Sequence, residues 1–196
     1  MGMSKPQLRK QLLISRKNLP VTIWRQQSQA ICDRLLDWHV FQRSQVILAY
    51  TSFRQEPDLQ YLWQQTPQKS WVFPRCVGSE LVWHQVAIAD FADSMTAGTF
   101  GILEPITSLP QINLIDINID LILTPTLACD RQGTRLGYGG GYYDRFFAQV
   151  NNCHQPGHSY RVGVLFAENF GVTIPSDKWD IPLQAVCTET EIHIIE

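Results

Sequence analysis

The sequence predicts an α/β fold: a single domain, residues 1–196, with a mainly parallel sheet flanked by helices. Two observations carry that prediction. Short apolar runs at residues 45–52, 70–73, 81–86, 120–124, 161–166, 184–187 and 191–195 have the length and β-rich character of strands. Between several of them lie segments whose apolar side chains recur every three to four residues, the spacing of a helix face. Strands that alternate with helices pair in parallel through crossovers, here with an antiparallel return at the end. No repeat, low-complexity tract or linker divides the chain.

The elements follow in order. Ser4-Lys5-Pro6-Gln7 opens a helix: Ser4 caps it, Pro6 suits a first turn and Gln7 stands at the capping-box position. Leu8 and Leu12 supply its apolar stripe, and Lys5, Arg9 and Arg16 fall within about 40° of one another beside it. A second helix follows Pro20, with Trp24, Ile31, Leu35 and Trp38 on one face. After the strand at 45–52, Glu56-Pro57-Asp58 starts a short helix carrying Leu59, Leu62 and Trp63. A polar turn at Gly78-Ser79 separates the next two strands. Residues 89–118, with Gly98, Gly101, Pro105 and Pro110, read as a surface excursion. The strand at 120–124 ends at Pro125, and a helix over 141–150 turns Phe146, Phe147 and Val150 inward.

With 44% hydrophobic and 17% charged residues and six tryptophans, the 196-residue chain can bury a full core without metal or disulfide staples. Sixteen basic against eighteen acidic residues, a formal net charge of −2, exclude a generic nucleic-acid binder. They leave room for a local basic pocket that takes a small phosphorylated ligand. The cysteines (Cys32, Cys76, Cys129, Cys153 and Cys187) are never spaced C-x-x-C, which fits buried thiols in a reducing compartment. Pro156 and Gly157 interrupt any helix that would align His154 with His158, so no zinc site is expected there. The early charges and the absence of an apolar run near 18 residues argue for a soluble, cytoplasmic protein.

The chemistry concentrates in residues 124–144. This segment leaves the carboxyl end of a buried strand and enters a helix through Gly137, Gly139, Gly140 and Gly141. Glycines let backbone N–H groups converge, and a helix N-terminus adds partial positive charge, so a phosphate is the natural guest. Arg135 offers a bidentate fork to that phosphate, and Asp144, in the first turn, a carboxylate for a magnesium ion. The loop is neither a Walker A motif, because no Gly-Lys-Ser/Thr follows, nor G-x-G-x-x-G, because Tyr142 takes the third glycine's place. A glycine turn that only permits tight packing is the bland alternative.

R-L-G-x-G-x-G-Y-Y-D after a D-x-I-x-x-P strand resembles the signature of the 5-formyltetrahydrofolate cyclo-ligase family. The resemblance spans nearly the whole chain: Lys5 and Arg9 match an N-terminal K-x-x-x-R, and Glu56 an acidic residue after the first strand. Residues 100–105 match a central G-x-x-E-P segment, and Phe166, Asn169, Pro175 and Asp180 the closing region. It implies a fold like the sugar-phosphate isomerase and CoA-transferase group, with ATP and Mg²⁺ as cosubstrates and a monomer as the working unit. It also implies that ATP phosphorylates the formyl oxygen of 5-formyltetrahydrofolate, that N10 then attacks, and that phosphate leaves to give the 5,10-methenyl ring.

Carried over residue by residue, the resemblance implies ATP contacts at Lys5, Arg9, Arg135, Leu136, Gly137, Tyr138, Gly139, Gly140, Gly141, Tyr142 and Tyr143, with Arg135 and Tyr143 catalytic. It implies folate contacts at Thr51, Glu56, Phe100 and residues 138–142, and Mg²⁺ ligands at Asp144 and Asp180. Gly140 stands where some members carry Lys, which leaves the positive charge to Lys5, Arg9 and Arg135; Asn169 and Trp179 are further departures. Two other readings stay open on sequence: an isomerase or acyl-CoA transferase of similar fold, and a module that binds a phosphorylated effector.

Overall fold

The computed structural model describes residues 3–153 and 159–195. In chain order the elements are α1 (Lys5–Lys17), α2 (Val21–Asp37), α3 (His39–Arg43), β1 (Val46–Leu48), α4 (Gln60–Gln65), β2 (Ser70–Val77) and β3 (Glu80–Gln85). There follow α5 (Phe91–Ser94), β4 (Met95–Ala97), β5 (Leu103–Pro105), β6 (Leu121–Pro125), β7 (Ala128–Cys129) and β8 (Arg135–Leu136). The last are α6 (Tyr142–Cys153), β9 (Tyr160–Val164), β10 (Ala185–Cys187) and β11 (Ile192–Ile194). Seven strands make the central sheet in the order β11-β10-β9-β6-β1-β2-β3. Its five inner strands run parallel, and β3 and β11 close the two edges antiparallel.

The period-two geometry of a strand sorts the core onto two faces. Ile47, Trp71, Phe73, Leu121, Leu123, Val162 and Val164 pack with Ile31 and Leu35 of α2, Phe41 of α3, and Leu62 and Trp63 of α4. Their alternates Leu48, Val72, Ile122 and Val186 pack with Phe146, Phe147 and Val150 of α6. Both faces are covered, which is why these strands read as unbroken apolar runs. A third cluster lies off the sheet: Leu8 and Leu12 of α1 settle on Leu127, Ala128, Leu136 and Ile174. The Gln7 side chain accepts from the Ser4 backbone N–H at 2.9 Å, so α1 starts at its expected capping box.

Several elements depart from the sequence reading. Trp38 leaves the helical region, ends α2 and introduces α3. The short helix starts at Gln60, after Asp58, whose Oδ1 accepts from the Gln60 N–H at 3.0 Å. The excursion at 89–118 holds α5 and the β4–β5 hairpin, and it packs on β2. The stretch after Pro125 folds back as the β7–β8 hairpin, because Asp130 Oδ1 accepts from Gln132 and Thr134 N–H groups while Gly133 takes φ +82°. Cys32, Cys129 and Cys187 are buried, and these and Cys76 are free thiols. His154, Pro156, Gly157 and His158 lie outside the described residues. No helix among the described residues is long and apolar enough to cross a membrane.

Because Leu136 is the buried hinge between α1 and the β7–β8 hairpin, Leu136→Ala is expected to lower stability by about 2–5 kcal/mol. Urea unfolding followed by circular dichroism measures it; an unchanged midpoint would mean that α1 is not held through this cluster.

Candidate active site

β1 and β6 are parallel neighbours, yet their chains leave toward opposite faces, β1 to α4 and β6 to α6. Such a divergence opens a crevice at the carboxyl ends of the strands. Here it is a cleft of about 1150 Å³. Tyr50, Thr51 and Glu56 line it from the segment after β1, and Pro125, Arg135 and residues 137–144 from the segment after β6. Lys5 and Arg9 of α1, the β2–β3 hairpin, the β4–β5 connection and residues 177–181 complete the walls. Every expected site residue except Leu136 is on this one lining. The Leu136 side chain is wholly buried against Leu8 and Leu12, so only its backbone is near a ligand.

The expected phosphate-binding cations and the expected metal carboxylates meet as ion pairs. Lys5 Nζ stands 2.6 Å from Asp180 Oδ2 and 2.7 Å from Asp177 Oδ2. Burial alone would lower the Lys5 pKa, but the hydrogen bonds and charges of Asp177 and Asp180 outweigh it and raise it. Arg135 Nη2 lies 3.1 Å from Asp144 Oδ1, and its guanidinium carbon is 5.5 Å from the centroid of the Tyr143 ring. Arg135 Nε is buried without a partner among the described residues. Among those residues no group of three or more His, Cys, Asp or Glu side chains is assembled for a metal. One or two carboxylates suffice for Mg²⁺ when phosphates complete its shell.

The glycines serve close approach. Arg9 Nε donates to the Gly137 carbonyl at 2.8 Å, and a Cβ at Gly139 (φ +101°) would sit 3.2 Å from the Arg9 guanidinium carbon. A Cβ at Gly137 would collide with Arg135 Nη1 at 2.5 Å. Among the described residues, the N–H groups of Gly139, Gly140 and Gly141 donate to no acceptor, and they stand just ahead of α6. The Tyr142 hydroxyl donates to the Gly78 carbonyl, and Arg145 donates to the carbonyls of Ser79 and Gly140. The loop is therefore tied to the turn between β2 and β3.

Glu56 is the buried acid of the lining, 4% exposed. Its Oε2 accepts from the Phe53 N–H at 3.0 Å, and its carbonyl accepts from Trp24 Nε1 and Ser52 Oγ, each at 2.8 Å. Burial raises its pKa to about 7, against the lowering effects of Arg16, the Phe53 N–H and the Tyr138 hydroxyl. The Tyr143 hydroxyl is buried with no partner among the described residues, and burial, then the Glu56 charge, raise its pKa. It is thus a neutral hydrogen-bonding group at ordinary pH rather than a base. Thr51 Oγ1 is engaged with the Leu103 carbonyl at 2.6 Å, and Phe100 stands 66% exposed at the rim in a left-handed conformation (φ 63°). Cys129, beside Asp130, has its thiol pushed up to about 12 by burial, which disposes of a nucleophilic role.

With this geometry in place, comparison with known proteins is decisive. The model of the 5-formyltetrahydrofolate cyclo-ligase family matches residues 1–189. The chain belongs to this family. A protein of Schizosaccharomyces pombe named probable 5-formyltetrahydrofolate cyclo-ligase is 26% identical over 98% of both chains. The 5-formyltetrahydrofolate cyclo-ligase of Haemophilus influenzae is 28% identical over 91% of this chain and 94% of its own. The solved 5,10-methenyltetrahydrofolate synthetase of Aquifex aeolicus superposes with a TM-score of 0.83 at 30% identity, covering 99% of this chain and 94% of that one. The Mycoplasma pneumoniae synthetase, 19% identical with a TM-score of 0.73, shares the fold. These neighbours are synthetases, and the wider likeness to sugar-phosphate isomerases rests on the sequence resemblance alone.

Sequence reasoning missed Asp177, Arg145 and Arg16. Asp177 is three residues before Asp180 and its N–H donates to Asp180 Oδ2 at 2.8 Å, a turn spacing that was legible. Arg145 directly follows the Tyr-Tyr-Asp motif. Arg16 was grouped with Lys5 and Arg9, but it is buried behind the cleft rather than along its rim.

The Glu56 shift fixes a pH dependence of stability. Its folded pKa lies above the ordinary 4.5, so the folded chain holds a proton that the unfolded chain gives up. Stability from this group is therefore highest below about pH 4.5 and is lost as pH rises toward 7. Glu56→Gln, which keeps the acceptor for the Phe53 N–H, is expected to be more stable than the parent at pH 8 by on the order of 2 kcal/mol, and nearly equal to it at pH 5. Thermal melts at the two pH values test this; equal differences at both would show that Glu56 is not raised.

Proposed function

We propose that this cleft closes the folate ring system: it takes 5-formyltetrahydrofolate and ATP and yields 5,10-methenyltetrahydrofolate, ADP and phosphate. The observation that carries the reading is the joining, in one cleft of about 1150 Å³, of the free N–H groups and cations around the glycine loop with a buried carboxylate. Single small-ligand sites usually span about 300–1,000 Å³, so this volume suits two substrates side by side.

The chemistry needs little covalent help from the protein. A formamide oxygen is a poor leaving group; transfer of the γ-phosphoryl group to it, breaking the bond to ADP, makes it a good one. N10 then forms the new carbon–nitrogen bond and gives up its proton, and phosphate departs with the oxygen. Such a sequence asks for positioning and charge stabilisation. Lys5, Arg9 and Arg135 supply positive charge, and the free N–H groups at Gly139, Gly140 and Gly141 a cradle. Leu136 contributes backbone only, and Tyr138, Tyr142 and Tyr143 flank the loop. Asp144 and Asp180 are the residues to hold Mg²⁺, which when bound neutralises phosphate charge. Glu56 faces the amide and amino donors of the pterin, with Thr51 and Phe100 beside it. The working unit is a cytoplasmic monomer.

The first test is a near-ultraviolet assay with 5-formyltetrahydrofolate, ATP and Mg²⁺, each omitted in turn. The methenyl chromophore is expected only in the complete mixture; none in any mixture, from folded protein, would overturn the reading. Arg135→Ala removes a charge-assisted contact and leaves Asp144 unpaired, so KM for ATP is expected to rise by roughly tenfold to a hundredfold. Unchanged ATP kinetics would remove Arg135 from the phosphate site. Asp144→Asn is expected to raise the Mg²⁺ concentration needed for half-maximal rate, and an unaltered metal titration would exclude ligation there.

A further inference from the structure

α1 carries a third cation that the reading above leaves without work. Arg16 lies on the same side of the helix as Lys5 and Arg9, yet it is only 2% exposed and sits behind the cleft wall. Its Nη2 donates to the Tyr138 hydroxyl, its guanidinium carbon is 5.3 Å from the centroid of the Tyr138 ring, and its Nε has no partner among the described residues. Among those residues no carboxylate comes within 4.0 Å of it, unlike Lys5 and Arg135. A guanidinium does not shed its proton, so a buried one requires a compensating charge nearby.

Glu56 is the acid on which its charge acts. The two groups act on one another, and both act on the Tyr138 hydroxyl. Glu56 is anchored in its own loop. Its carbonyl is held by Trp24 and Ser52 and its carboxylate by the Phe53 N–H, while Arg54 and Gln55 before it take left-handed conformations (φ 48° and 57°). Tyr138, which lines the cleft from the glycine loop, is therefore the group through which Arg16 reaches the site.

We propose that Arg16 is a positioning residue for the folate substrate: through Tyr138 it aligns the glycine loop with Glu56, and its charge favours the carboxylate form of that acid for the pterin. This rests on the assignment of Glu56 to the folate. The groups facing Glu56 are Arg16 from α1, Tyr138 from the glycine loop, Tyr143 from α6 and Tyr50 after β1, with Arg54 in its own loop turned onto the Phe53 ring. The three tyrosines are held neutral, their pKa values raised by burial and then by the Glu56 charge. Arg16 is thus the full charge among these facing side chains that favours the carboxylate, and burial still leaves the Glu56 pKa at about 7.

The test is KM for 5-formyltetrahydrofolate from pH 6 to 9, at saturating ATP and Mg²⁺, in the parent enzyme and in Arg16→Met, Tyr138→Phe and Glu56→Gln. In the parent, KM is expected to climb as pH falls through about 7. Arg16→Met moves that midpoint to higher pH by about one unit, so KM at pH 7 rises roughly fivefold to tenfold while the values converge at pH 9. Tyr138→Phe shifts it the same way by less, and carries the test should Arg16→Met not fold. Glu56→Gln loses the pH dependence of KM. A midpoint unmoved in Arg16→Met and Tyr138→Phe, beside a Glu56→Gln enzyme with flat KM, overturns the role of Arg16 alone. A pH-independent fall in kcat with the midpoint in place also overturns it, since a merely structural residue would behave so. A Glu56→Gln enzyme with the parent's KM and pH profile overturns the assignment of Glu56 itself.

Discussion

The structure depends on one topological constraint: β1 and β6 are hydrogen-bonded neighbours whose chains must leave in opposite directions. Ile47 and Leu121 face α2 and α4, while Leu48 and Ile122 face α6, so each strand needs cover on both sides. The chain that follows β1 supplies one side and the chain that follows β6 the other. Nothing can fill the space above the two strand ends without blocking one of these exits. The cleft is the unavoidable gap, and the side chains that line it are those the two departing segments carry. α1 closes the gap from outside, because Leu8 and Leu12 need the β7–β8 hairpin beneath them and that hairpin is part of the departing segment.

Within the cleft, electrostatics follows from burial. Lys5 and Arg135 could not stand desolvated without counter-charges, and Asp180 and Asp144 provide them. The same four residues are those expected to meet phosphates and metal. On the proposed reading, a nucleotide bound with its metal would let Lys5 and Arg135 turn from carboxylate to phosphate while Asp144 and Asp180 hold the metal. A free phosphate without a metal would instead leave Asp144 and Asp180 as uncompensated acids, which favours the paired ligand over either alone.

How much of this was legible depended on range. Short apolar runs located every central strand, and the glycine loop announced its chemistry because its residues are contiguous. The capping box at Ser4 and Gln7 was readable for the same reason. What failed involved contacts distant in sequence or competition between nearby signals. Arg16 shares a helical face with Lys5 and Arg9, but Tyr138, far along the chain, covers it, and no periodicity reports such a contact. The β7–β8 hairpin hid behind a glycine-rich stretch, although Asp130 and Gly133 are turn residues in the right places. Leu136 was carried to the ligand by its place in a motif, whereas strand alternation sends its side chain to the core.

The loop from Phe53 to Glu56 shows where stability yields to function. Two consecutive non-glycine residues, Arg54 and Gln55, adopt left-handed backbones, at a cost on the order of 1 kcal/mol or more each. The acid that follows is buried, with its proton shifted toward neutrality. Neither feature helps folding, and simple alternatives such as glycine at 54 or 55 and glutamine at 56 would relieve both. What the arrangement does provide is a Glu56 tied at two places, its backbone carbonyl by Trp24 Nε1 and Ser52 Oγ and its carboxylate by the Phe53 N–H. A mobile acid would turn to Arg16 and form an ordinary buried ion pair, closed to any ligand. As it stands, Tyr138 is the partner of Arg16 and acts on Glu56, and the acid keeps its place on the cleft lining. The strain of the loop and the loneliness of Arg16 are two consequences of that single requirement.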